Sequence, residues 1–179
     1  MTKTLVWGVA ALFGLLLLAG PASSARAAEL KVGDKMPEFT LKASDGKTYS
    51  SADFVGKKGV VIAWFPKAFT GGCTAECKSF RANGEALKAS RVAYFTASVD
   101  TPEKNADFAK SLDLDYPILS DPEKKAAEAF GVLSEKGYAN RWTFYVDKEG
   151  VIKEIDKKIN NPQAGVDVAA KVKSLGIGG

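Results

Sequence analysis

Six apolar residues in a row, Val60-Val61-Ile62-Ala63-Trp64-Phe65, are followed at once by Pro66. A near-continuous apolar run of this kind reads as a strand buried on both faces, without the alternation of a half-exposed one. A strand covered on both sides needs helices above and below its sheet. Val92–Val99 is a second run of the same type, ending at Ser98-Val99-Asp100. These two strands oblige the chain to be α/β and to keep its remaining elements on the two faces of one sheet.

The rest of the sequence supplies those elements. Phe39–Leu41, a turn at Ser44-Asp45-Gly46-Lys47, Thr48-Tyr49 and Ser51–Phe54 read as an N-terminal hairpin. Cys73 to about Ala89 reads as a helix. Thr101-Pro102-Glu103 is a helix start, with a capping residue and proline in the first turn. Tyr116–Leu119 is a short strand, and Ser120-Asp121-Pro122-Glu123 opens a helix that runs through Phe130 to Gly131. Trp142–Val146, the turn Asp147–Gly150 and Val151–Ile155 form a second hairpin, and Val166–Leu175 a terminal helix. The expectation is a mixed central sheet with helices on both faces and an N-terminal β-hairpin extension. That order resembles the thioredoxin-like fold.

The first residues belong to a different grammar. Met1-Thr2-Lys3 is basic, Leu5 to Gly20 is apolar around Leu15–Leu18, Pro21 and Ser23-Ser24 break the run, and Ala25-Arg26-Ala27 is an A-x-A site. This is the pattern of a secretory signal peptide. A retained membrane anchor is the other reading, although the apolar run is shorter than the roughly 20 residues of a bilayer span. The domain expectation is therefore a signal peptide over 1–27, cleaved after Ala27, and a single domain over 28–179, periplasmic or secreted. The net charge of +4 falls to +2 once Lys3 and Arg26 are gone. With no basic stretch interleaved with aromatics, nucleic acid is excluded as a partner, and no stable membrane association is expected after cleavage.

Chemistry is confined by two counts: there are two cysteines, Cys73 and Cys77, and no histidine. The missing imidazole removes Cys–His and Ser–His catalysis and most zinc sites. In an oxidising compartment a cysteine pair is by default a structural disulfide. A bridge this short would close a tiny loop and stabilise little, because the entropic gain grows with loop length. Chemistry is the better use of the pair. A cysteine presented at a helix start, after Thr70-Gly71-Gly72, faces unpaired N–H groups and the positive end of the helix dipole, both of which favour a thiolate. Cys73, Cys77, Phe80, Gly84 and Leu87 share one helical stripe, so burial of both sulfurs as small apolar residues is the competing reading. Residues four apart on a helix have Cβ atoms about 5–6 Å apart, against about 3.8 Å in a disulfide. Joining the two sulfurs should therefore unwind the first turn.

The segment Phe65-Pro66-Lys67-Ala68-Phe69-Thr70-Gly71-Gly72-Cys73-Thr74 contains Pro66-x3-Thr70-x2-Cys73 and resembles the P-x-x-x-T/S-x-x-C motif of peroxiredoxins, most closely the bacterioferritin-comigratory, or Q-type, branch of the alkyl hydroperoxide reductase/thiol-specific antioxidant family. Glu76 and Arg141, the latter just before the Trp142 strand, also fall where that family carries Glu and Arg. The resemblance spans about Val32 to Leu175. It implies a thiol peroxidase acting on hydrogen peroxide and organic hydroperoxides, with no cofactor and no metal. Cys73 would be the peroxidatic thiolate that becomes a sulfenic acid. Thr70 would hydrogen-bond thiolate and peroxide, Arg141 would stabilise the thiolate and the developing charge, Pro66 would shield the sulfur, and Glu76 would orient the arginine. Cys77 would resolve the sulfenic acid, and a thioredoxin-like reductant would recycle the pair, in a monomer or weak homodimer. Q-type members that resolve within this helix usually carry C-x4-C, whereas this chain has C-x3-C, so a one-cysteine mechanism with an external thiol stays open.

Two other functions share parts of the pattern. C-x3-C on an exported thioredoxin-like domain resembles copper chaperones of oxidase assembly, which also need a distant histidine. A thiol–disulfide oxidoreductase would resemble W-C-x-x-C with a proline ahead of the later strand. This chain matches neither completely.

Overall fold

The computed structural model describes Met1 and residues 29–178. All but the first residue of the expected signal peptide lies outside the described residues. The strands are β1 (Thr40–Ala43), β2 (Thr48–Ser50), β3 (Val60–Trp64), β4 (Ala93–Ser98), β5 (Ile118–Ser120), β6 (Thr143–Val146) and β7 (Ile152–Asp156). The helices are α1 (Gly71–Ala82), α2 (Gly84–Ala89), α3 (Pro102–Ser111), α4 (Lys125–Ala129) and α5 (Ala164–Leu175). They build one seven-stranded mixed sheet in the order β2-β1-β5-β4-β3-β6-β7. The β3–β4 and β4–β5 pairs are parallel, and the flanking pairs are antiparallel.

The two apolar runs hold the places that their composition demands. Every residue of β3 and β4 is buried. Alternate side chains of β3 feed two cores. Val60, Ile62 and Trp64 pack with Ala126, Ala127 and Phe130 from the α4 region on one face. Val61 and Ala63 pack with Phe80 of α1, Leu87 of α2, and Val168 and Val172 of α5 on the other. A third cluster at the carboxyl end of β3 joins Phe65, Ala68, Cys73, Cys77, Phe108 of α3 and Ile118. The thioredoxin-like reading of the fold, with helices on both faces, stands. The N-terminal hairpin continues the same sheet, because β1 pairs with β5.

Three local expectations need correction. Ser51–Asp53 is a 3-10 turn rather than strand, since Ser50 and Asp53 form a reciprocal capping box at its start. The helix expected to run from Cys73 to about Ala89 breaks at Asn83 (φ −108°, ψ 15°). There the Asn83 side chain donates to the Ser79 carbonyl at 2.9 Å, competing with the helical ladder, and Gly84 is a poor helix former. The helix expected from Ser120 begins only at Lys125, after Lys124 in the left-handed region (φ 63°). Asp121 still serves that helix, accepting from the Ala127 N–H at 2.7 Å from outside the usual capping position.

Candidate active site

The sheet register brings the site together. Antiparallel pairing of β3 with β6 sets Ala63 beside Thr143, and the Trp64 N–H donates to the Trp142 carbonyl at 2.9 Å. Arg141, two residues before β6, is thereby carried to the end of β3, where the chain turns through Pro66–Thr70 into α1. That turn is tight: Phe69 has φ 64°, a conformation unfavourable for an aromatic residue. Its ring packs on Phe108 with centroids 5.0 Å apart, although Phe69 itself is exposed. Asp100, at the end of β4, accepts the Ala68 N–H at 2.8 Å and holds the middle of the turn.

Cys73 is the third residue of α1 and is fully buried. Arg141 Nη2 points at its Sγ at 3.2 Å. The other arm of the same guanidinium, Nη1, donates to Glu76 Oε2 in an ion pair whose carboxylate is fully buried. Glu76 is thus placed where it fixes the fork of the arginine. Glu76 Oε1 is buried without a partner. Burial drives the Glu76 carboxyl up to about 7, against the opposing pull of Arg141.

Cys77 lies one turn further along the same face. It too is fully buried, and both sulfurs are unbridged. The stripe foreseen in the sequence is real, since Cys73, Cys77, Phe80, Gly84 and Leu87 are all buried. Burial first, and then the neighbouring Glu76 charge, push the Cys77 thiol up to about 12. Tyr116 donates its hydroxyl to the Cys77 carbonyl at 3.1 Å and pins this part of α1 to β5's leading edge.

Thr70 departs from expectation. It is the residue preceding α1, but its side chain makes no cap hydrogen bond. Its hydroxyl donates to the Lys67 carbonyl at 3.0 Å rather than to Cys73. The sharp turn at Phe69 leaves that carbonyl close at hand, and a hydroxyl has a single proton to give. Pro66 is half-buried between Phe65 and the turn.

Three nearby residues escaped the sequence reading. Asp100 was visible only as the end of a strand, and Tyr116 only as part of one. Asn161, in the 3-10 turn Asn161–Gln163 before α5, carries no spacing signal at all. Yet it lies against the start of α1: a Cβ on Gly72 would fall 2.8 Å from Asn161 Nδ2 and 3.4 Å from Arg141 Nη2.

The titration of Glu76 carries a prediction. With its carboxyl at about 7 when folded and 4.5 as the reference, the folded chain holds a proton that the unfolded chain has released between those values. Stability therefore falls as pH rises through that window, by up to about 3 kcal/mol. Urea unfolding midpoints between pH 5 and 8 should decline for the wild type. Glu76→Gln should flatten the decline; an equal slope in that variant would remove Glu76 as its source.

Known proteins share this framework. Residues 32–155 match the AhpC/TSA family. Peroxiredoxin Bcp of Escherichia coli is 36% identical over 141 residues, covering 74% of this chain and 90% of that protein. The chloroplastic peroxiredoxin Q of Populus jackii is 33% identical over 147 residues, covering 81% of this chain and 68% of that one. Among solved structures, the peroxidoxin BcpB of Mycobacterium tuberculosis superposes with a TM-score of 0.73 at 29% identity, over 82% of this chain and 98% of its own. Xylella fastidiosa PrxQ, at 20% identity and a TM-score of 0.76 over 82% and 98% of the two chains, shares the fold. On these matches the chain belongs to the AhpC/TSA family, within its bacterioferritin-comigratory, Q-type peroxiredoxin branch.

Proposed function

We propose that the chain reduces hydrogen peroxide and organic hydroperoxides through Cys73, resolves the product with Cys77, and is recycled by a thioredoxin-like dithiol outside the cytoplasm. The observation that carries the reading is the Arg141 fork, one nitrogen on Cys73 Sγ at 3.2 Å and the other on the buried Glu76. A guanidinium held on sulfur favours the anionic nucleophile and is already in place for charge that appears as an O–O bond breaks.

The thiolate attacks one peroxide oxygen. The S–O bond forms as the O–O bond breaks, and the second oxygen leaves as alkoxide or hydroxide and takes up a proton. Donors for that charge are Arg141 and the N–H groups of the first turn of α1, which have no partner inside the helix. Thr70 joins them once its hydroxyl turns from Lys67. Pro66 and the Phe69–Phe108 contact keep bulk water off the sulfur.

In the second step Cys77 displaces hydroxide from the Cys73 sulfenic acid, and disulfide and water result. Both sulfurs sit inside an intact helix, and the Cys77 thiol is held protonated by burial. The first turns of α1 must open before it can react. A dithiol reductant then returns both thiols. The A-x-A site at Ala25–Ala27 supports export with cleavage after Ala27.

One experiment tests these points together. Protein recovered from the exported fraction is treated with one equivalent of hydrogen peroxide and its intact mass recorded, alongside peroxide consumption with a dithiol. The expected species begins at Ala28 and has lost two hydrogens. A persistent added oxygen would overturn Cys77 as resolver. Reduction of protein disulfides without peroxide consumption would favour a thiol–disulfide oxidoreductase.

A further inference from the structure

We infer that Asp100 is a positioning residue of the peroxidase site, acting through the Lys67–Ala68 peptide to seat the Thr70 hydroxyl. The inference rests on the peroxidase reading above and extends it to a residue at the end of β4, outside the motif.

Two sides of one peptide unit are engaged. The Ala68 N–H donates to Asp100 Oδ2 at 2.8 Å. The Lys67 carbonyl of the same peptide accepts the Thr70 hydroxyl at 3.0 Å. In a trans peptide the N–H and the C=O point to opposite sides of the chain. Whatever holds the N–H therefore aims the carbonyl. Asp100 holds the N–H, and the carbonyl so aimed is the anchor of Thr70 Oγ. The main chain of Thr70 is fixed separately, because its carbonyl accepts the Thr74 N–H at 2.9 Å as α1 opens.

Asp100 is braced by three elements. Its side chain is only 11% exposed, and Oδ1 pairs with Lys104 of α3. Ser98 of β4 donates its hydroxyl to Oδ2 at 3.2 Å. Behind Ser98, the fully buried Asn105 of α3 donates to Ser98 Oγ at 3.1 Å and to Ser120 Oγ of β5 at 2.9 Å. A carboxylate held in this way offers an acceptor at a fixed point. The need for one lies next along the chain. Phe69, at φ 64°, is in a conformation that persists only where its surroundings impose it. Without the Asp100 contact the Lys67–Ala68 peptide is free to rotate as that strain relaxes, and the seat of Thr70 rotates with it.

The consequence falls on the leaving oxygen. In the resting protein the Thr70 proton lies on Lys67. When charge appears on the leaving oxygen, the O–H turns about the Cβ–Oγ bond, and the oxygen atom stays where the carbonyl has held it. A donor already in place costs no reorganisation at that moment. Asp100 exchanges no proton and acts only through the peptide.

A double-mutant cycle separates this role from a structural one. Asp100→Ala should lower the first-turnover rate constant with hydrogen peroxide about three- to tenfold, the worth of one neutral hydrogen bond. Thr70→Val should lose at least as much. In the Thr70→Val background, Asp100→Ala should cost less than about twofold more, because no hydroxyl is left to seat. Asp100→Asn keeps an oxygen for the Ala68 N–H and should recover most of the rate. Alkylation of Cys73 by iodoacetamide, which needs the thiolate but no donor to a leaving oxygen, should stay at the wild-type rate in both Asp100 variants. If the alanine variant does not fold, Asp100→Leu, which also lacks an acceptor, takes its place in the cycle. Additive losses, an unchanged rate in Asp100→Ala or Thr70→Val, no rescue by asparagine, or a parallel loss of alkylation each overturn the inference and leave Cys73 peroxidase chemistry standing. A wild-type protein inert to peroxide removes the peroxidase reading and the inference with it.

Discussion

Arg141→Ala should slow the reaction of Cys73 with hydrogen peroxide by about a hundred- to a thousandfold, the range seen when one preorganised donor is removed from an anion-stabilising site. Ionisation alone does not account for a loss of that size. An ordinary thiol is a few per cent thiolate at pH 7, so complete ionisation raises the reactive fraction only about thirty-fold. The remainder has to come from contacts that strengthen as the O–O bond breaks. Arg141 is built for both tasks, with Nη2 on the sulfur and Nη1 fixed by a fully buried carboxylate. Comparing the peroxide rate with the rate of Cys73 alkylation divides them. A peroxide loss well beyond the alkylation loss is expected; equal losses would reduce the arginine to an ionising charge. Arg141→Lys should restore little, because one ammonium cannot reach sulfur and Glu76 in the same fixed geometry.

The largest loss of stability is expected from Gly165→Ala. A Cβ there would lie 2.1 Å from the Ser79 carbonyl oxygen, 2.6 Å from its carbon and 2.9 Å from the Phe80 nitrogen. All three are main-chain atoms of α1, so no side chain can swing aside. α5 would have to lift from α1, opening the contact of Val168 and Val172 with Phe80, Val61 and Ala63. Overpacking of a sound core costs about 1–3 kcal/mol, and a backbone collision on this scale should reach about 4 kcal/mol. For a domain of this size that lowers Tm by roughly 10 °C. A thermal melt within a degree or two of wild type would show that the two helices are not held at this separation.

How much of this was written in the sequence depends on the range of the interaction that decides each residue. The unbroken apolar character of Val60–Phe65 can be satisfied only at the centre of a covered sheet, and β3 lies there. The buried stripe Cys73–Cys77–Phe80 of α1 follows from helical period alone. Arg141 was legible through the resemblance to peroxiredoxins, which carry an arginine just before this strand, and the β3–β6 register shows how it arrives at the site. The break at Asn83 turns on one side chain choosing the Ser79 carbonyl, and α4 starts where a left-handed Lys124 permits; neither follows from periodicity. The Thr70 hydroxyl depends on which carbonyl a strained turn exposes. Asn161 reaches the site only because α5 docks on α1, a contact between segments more than eighty residues apart.

α1 is fastened unequally along its length. Its leading turn, Gly71-Gly72-Cys73, has no side-chain cap and two glycines. Beyond Cys77 the helix is tied by Tyr116, by Asn83 to its own Ser79 carbonyl, and by Gly165 on the Ser79 hydroxyl. Fraying can therefore travel from the open end as far as the second sulfur and stop. Such an excursion is sub-global: it breaks the Arg141–Glu76 pair and opens the small cluster around Cys73 and Cys77 but leaves the two larger cores on the faces of the sheet folded, so its free energy is set locally and not by the stability of the whole domain. Under the proposed cycle, turnover and heat resistance are then governed by separate parts of the molecule. Stability gained at the far edge of the sheet, around β2, leaves the opening of the redox helix as it was.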